Sequence, residues 1–134
     1  MWQRLVLVLV AAVLIFNGLH MLFIPEHWYY SIPSVPHTGP FNAHFVRDIG
    51  CAYLASAVGL AIGAWRPRWL IPAAAPALTF LAIHAGIHGW ESLLAHTAAA
   101  EHAGFMDAAG VYAPPLLTLL VIVFTRQGKP NQEV

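Results

Sequence analysis

Two residue pairs at helical spacing carry the strongest chemical signal in this chain: His44-x-x-x-Asp48 and His84-x-x-x-His88. Residues four apart on a helix project from nearly the same face, so each pair can turn toward one point. Imidazole nitrogens and carboxylate oxygens ligate transition metals, and two facing pairs supply the four donors of a tetrahedral site for zinc, iron or copper. His20 is a fifth candidate ligand. Glu91 and Asp107 are candidate catalytic groups that would move protons beside the metal, or enlarge the set toward a binuclear centre. Arg47 is the third candidate catalytic residue, fixing an anionic group or pairing with Asp107 or Glu91 on another helix.

Such residues need elements that bring them together, and the composition says which. The chain is 59% hydrophobic and only 9% charged. Its apolar residues gather into four stretches, at about residues 5–24, 41–64, 69–90 and 105–124, each near the roughly 20 residues that cross a bilayer as helix. The expectation is an all-α fold, a four-transmembrane-helix bundle, with residues 1–134 forming one integral membrane domain. Pro25 ends the first span, and the third projects past the bilayer through Glu91 and Leu94. Pro114-Pro115 removes two backbone donors and predicts a kink in the fourth span.

With four spans, Arg4, Arg66, Arg68, Arg126 and Lys129 share one side, which the excess of basic residues assigns to the cytoplasm. Both termini then lie there. The opposite side receives all eight histidines and five of the six acidic residues: Glu26, Asp48, Glu91, Glu101 and Asp107. Reading the first span as a cleaved signal peptide fits poorly, since its apolar run is long and no small-x-small site precedes the loop. The zero net charge argues against a nucleic-acid partner. Cys51 is the only cysteine, so no disulfide forms within the chain, and it reads as a small buried residue.

At about 1.5 Å per residue, His20, His44, Asp48, His84, His88 and Asp107 fall in one layer roughly 6 to 13 Å outward of the midplane. Polar side chains at that depth are costly and face a bundle interior or a water-filled cavity. His27, His37, His96 and His102 have no such fixed spacing and read as solvated loop residues. Gly59, Gly63, Gly86 and Gly89 read as close-packing positions.

Gly18, the Pro25-Glu26 that closes the first span, and Arg47-Asp48-Ile49-Gly50-Cys51-Ala52-Tyr53-Leu54 together resemble the DoxX-like small four-helix bacterial membrane proteins. The resemblance covers most of the chain and implies a bacterial inner-membrane location. It also implies, for some members, a place as a subunit of quinone-linked oxidoreductases. His84-x-x-x-His88 and Phe41-Asn42-Ala43-His44 lie outside that pattern. Membrane di-iron hydroxylases also carry a His-x-x-x-His, but their His-x-x-His-His repeats are absent.

Three functions follow as expectations. The first is a metal site or metalloenzyme on the periplasmic side, with His44, Asp48, His84, His88 and His20 as ligands. The second is a haem- or quinone-binding subunit of a membrane oxidoreductase, haem being held between histidines of different helices. The third is an ion or proton transporter, which the nearly apolar inner halves of the spans disfavour. The expected partners are the bilayer, a lipid-soluble or periplasmic small molecule, and either further copies of the chain or other subunits of a complex.

Overall fold

The structure, a computed structural model, describes residues 1–94, 104 and 107–127. Helix α1 spans Trp2–Phe23, α2 Pro25–Ser31, α3 Ala43–Trp65, α4 Leu70–Leu94 and α5 Ala113–Gln127. A short 3-10 turn at Val35–His37 lies between α2 and α3, another at Pro67–Trp69 leads into α4, and a π-turn at Ala108–Tyr112 opens α5. Four of these segments are long and apolar enough to cross a membrane: Trp2–Phe23, Ala43–Trp65, Pro67–Leu94 and Ala108–Arg126. They pack in a ring in which α1 meets α3, α3 meets α4, α4 meets α5 and α5 returns to α1.

Local chemistry sets the boundaries. Asn42 caps α3, its side-chain oxygen accepting from the amides of His44 at 3.0 Å and Phe45 at 3.1 Å. Pro25 sits at the first position of α2, where its missing N–H is harmless and its fixed φ starts a new helix. At the other end of the bundle, Arg66-Pro67-Arg68 turns the chain within one 3-10 turn. In place of the kink expected at Pro114-Pro115, the helix carries a π-turn just upstream, at Ala108–Tyr112. The prolines leave the carbonyls of Gly110 and Val111 without their usual donors, and the preceding turn widens so that the Ala113 amide bonds Ala108.

Lipid offers no hydrophobic drive between helices, so close approach must come from small side chains and van der Waals contact. Gly18 and Gly50 supply it where α1 crosses α3. A Cβ on Gly18 would stand 2.8 Å from the Gly50 carbonyl oxygen, and one on Gly50 would stand 2.9 Å from Met21 Cβ. Gly59 lets α3 approach α4, since a Cβ there would overlap the Ala73 carbonyl oxygen. Gly86 has open space around it and is not a close-packing position. The buried stripes that result are Leu7, Val10, Leu14 and Gly18 on α1, and Val46, Gly50, Tyr53, Ala57 and Leu60 on α3. On α4 the stripe is Leu70, Ala74, Ala77 and Leu81. Leu5, Phe16, Val58, Ile83, Leu116 and Phe124 remain exposed on the bundle exterior, as a lipid-facing surface requires.

A Gly18→Val substitution should force α1 from α3 and cost about 1–3 kcal/mol, the usual scale of overpacking. Thermal unfolding in detergent, compared with the same change at the unencumbered Gly86, checks it.

Candidate functional site

The phase of each buried stripe decides which of the predicted residues meet. On α4, His84 and His88 continue the stripe of Leu70, Ala74, Ala77 and Leu81, so both imidazoles turn toward the bundle. Their ring centroids are 4.7 Å apart. His84 stacks on Phe80 at 5.8 Å and meets the edge of Tyr53 on α3 at 5.9 Å. No hydrogen bond among the described residues engages the nitrogens of His84.

Asp107, immediately before the π-turn, is the group these rings surround. It is only 7% exposed. One oxygen, Oδ2, lies 3.3 Å from His88 Nδ1. The other, Oδ1, accepts a hydrogen bond from the Ser34 hydroxyl at 3.3 Å. A carboxylate removed from water is costly unless its oxygens are bonded, and these two partners supply that compensation. Asp107 is also within electrostatic reach of Tyr53 and His84. The cluster therefore draws on α3, α4, the turn before α5 and the connection between α2 and α3, and it lies at the end of the bundle away from Arg66 and Arg68.

Ser34 reaches this place because the connection after α2 is tied down. The Trp28 indole donates to Asn17 Oδ1 at 2.7 Å, and the Tyr29 hydroxyl donates to the Gly39 carbonyl. Gly39 has φ +153, a conformation that favours glycine. Together these bonds fold residues 32–40 over the bundle end and bury Ser34.

His44 and Asp48 stand elsewhere. They form an i, i+4 pair at 3.5 Å, with side chains 89% and 61% exposed. At about 100° per residue their face lies opposite the stripe of Val46, Gly50, Tyr53 and Ala57, so α3 points them out of the bundle. His20 also leaves the core stripe of α1. Its Nε2 lies 2.8 Å from His27 Nδ1 on α2, which gives His27 a specific partner rather than a merely solvated place. The four residues His44, Asp48, His84 and His88 are thus not brought together, and His20 joins neither pair. Among the described residues, no three His, Cys, Asp or Glu side chains are grouped to hold a metal ion.

Arg47 does not pair with Asp107 or Glu91. Its Nε donates to the Leu22 carbonyl at 3.2 Å, near the end of α1 where carbonyls run out of helical donors. Glu91 and Cys51 are exposed, the latter against the expectation of burial. His96, His102 and Glu101 lie outside the described residues. Sequence reasoning missed Ser34 and Tyr53. Tyr53 was legible as a hydroxyl on the small-residue stripe of α3, whereas nothing local marks Ser34.

A groove of about 240 Å³ runs between α4 and α5, lined by none of the cluster's own residues. Leu78, Ala82, Ala85, Tyr112, Pro115 and Leu116 are among its lining residues. Tyr112 comes close to Gly89, the neighbour of His88: its hydroxyl would lie 3.9 Å from a Cβ there.

A ring of four membrane-length helices with a buried imidazole–carboxylate cluster at one end defines a small multi-pass integral membrane protein. The chain belongs to the DoxX-like family, whose sequence model matches residues 5–125. Comparisons with curated proteins and with solved structures produced no match.

Replacing Asp107 with alanine removes the partner of both His88 and Ser34. The expected cost is about 1–3 kcal/mol of stability, the scale for orphaning buried polar groups, whereas Asp48→Ala should cost less than about 0.5 kcal/mol. Denaturation of the two variants in one detergent compares them directly.

Proposed function

We propose that this protein binds the headgroup of a lipid-soluble carbonyl compound of the quinone class, as a subunit of a membrane oxidoreductase. The observation that carries the reading is the His88–Asp107 pair, 3.3 Å apart and largely buried between the same two spans that form an apolar groove. An imidazole held at one nitrogen by a carboxylate has a defined orientation and a free second nitrogen that can give or take a proton. A ring carbonyl or hydroxyl is the kind of ligand such a nitrogen recognises, and His84, 4.7 Å away by ring centroid, offers a second contact. The groove between α4 and α5 is apolar and open on its outer side, which suits the ligand's hydrocarbon tail. Asp107 then acts as a positioning group, and the electrons pass to another subunit.

A transition metal is the second reading, and a different feature favours it. A nitrogen and an oxygen 3.3 Å apart have the spacing of two ligands about 2.0–2.1 Å from one zinc ion. His88 and Asp107 would supply two ligands, and His84 would have to turn toward them, since no three such side chains are gathered among the described residues. Haem between helices is less well supported. The His20–His27 nitrogens are 2.8 Å apart, closer than two metal–nitrogen bonds laid end to end. Transport finds little support either, because the Ser56 and Thr118 hydroxyls donate to the Ala52 and Pro114 carbonyls of their own helices.

Equilibrium binding of a short-chain quinone to the purified protein, with metal analysis of the same preparation, tests both readings. The expected outcome is saturable quinone binding weakened about tenfold or more by His88→Ala, consistent with losing one buried charge-assisted hydrogen bond. His44→Ala should leave it unchanged. Binding indifferent to His88 would sink the quinone reading, and stoichiometric metal lost in His84→Ala would replace it with the second.

A further inference from the structure

At the opposite end of the bundle, a cavity of about 280 Å³ opens between the start of α4 and the end of α5. Its walls combine two guanidinium side chains, Arg68 and Arg126, with the apolar Leu70, Ile71, Pro72 and Ile122. We propose that this cavity binds the phosphate of an anionic phospholipid, with the glycerol and upper acyl chain against its apolar wall.

Two other described arginines, Arg4 and Arg47, are engaged within the chain, while Arg66 lies outside the cavity lining. Arg4 stacks over the Trp65 ring at 5.2 Å from its centroid, and Arg47 bonds the Leu22 carbonyl. Arg68 and Arg126 have no carboxylate partner among the described residues. They come from different segments, one beside the start of α4 and one at the end of α5, yet line one cavity while remaining exposed, so both can reach a shared anion. The cavity also lies at the N-terminus of the 25-residue α4, whose dipole adds a favourable potential for an anion.

Depth selects the source of the phosphate. Pro67–Trp69 joins two membrane-length helices, with Trp65 and Trp69 exposed on either side, which puts the cavity at headgroup level. A free phosphate ion has no use for Leu70, Ile71, Pro72 and Ile122, whereas a lipid has a hydrocarbon part to cover them. Basic pockets between membrane helices are a recurrent form of anionic-lipid recognition.

Native mass spectrometry of the full chain in detergent, with equimolar phosphatidylglycerol and phosphatidylcholine of identical acyl chains, reads the preference directly. Wild type should retain phosphatidylglycerol with roughly tenfold preference or more, and the R68Q/R126Q double variant should fall to near parity. R4Q should keep the wild-type preference. The single variants R68Q and R126Q, each expected to lose about fivefold, carry the test if the double variant does not fold. An unchanged preference in folded R68Q and R126Q, or none in wild type, overturns the proposal. Displacement of the lipid by equimolar inorganic phosphate overturns it as well, because the cavity would then be a free-phosphate site.

Discussion

Burial of the Asp107 carboxylate between membrane helices imposes a demand that the surrounding structure must meet with polar atoms. Few are within reach, because the interior below is packed with Leu7, Leu14, Ala57, Leu60 and Leu81. The demand is met by one imidazole from α4 and one hydroxyl from the connection after α2. Each of those partners has its own support. His88 inherits its direction from the stripe that packs α4 into the bundle, and Ser34 is delivered by a segment fastened through Trp28, Tyr29 and Gly39. Removing water from this carboxylate thus ties α4, the start of the last span and the connection after α2 to one point.

The widened turn at Ala108–Tyr112 belongs to the same arrangement. Pro114 and Pro115 cannot donate to the carbonyls one turn earlier, and the helix responds by shifting its bonds by one residue just after Asp107. Sequence marks the prolines but not the direction in which the distortion spreads. The distortion moves toward the end where Asp107 enters the bundle, because the residues after Pro115 remain locked in regular helix by the packing of Thr118, Val121 and Ile122.

The two ends of the bundle have divided chemistry. One end gathers imidazoles, a carboxylate and hydroxyl groups around a partly dry site. The other presents arginines at the helix ends, two of them on a shared cavity. Between them the helices touch through glycine and small apolar residues, a contact that depends on backbone approach rather than on large side chains. This middle layer separates the polar groups of one end from those of the other.

Membrane architecture was legible in the sequence because it depends on local quantities: runs of apolar residues, prolines that stop helices, and the placement of arginines. The four spans and the helix end at Pro25 follow from such patterns, and the same patterns single out His84, His88 and Asp107 as polar residues within apolar spans. Folding separates His44-x-x-x-Asp48 from His84-x-x-x-His88. Spacing says that two side chains share a helix face, but only packing says whether that face looks inward. Gly50, Tyr53 and Ala57 turn α3 so that His44 and Asp48 look out, while Ala74, Ala77 and Leu81 turn α4 so that His84 and His88 look in. Ser34 and the Arg47 cap on Leu22 depend on chain segments meeting across long stretches of sequence, so no local pattern marks them. Sequence determined which residues are costly in a membrane, and tertiary structure decided which of them share a site, because helix rotation is set by the contacts of the opposite helix.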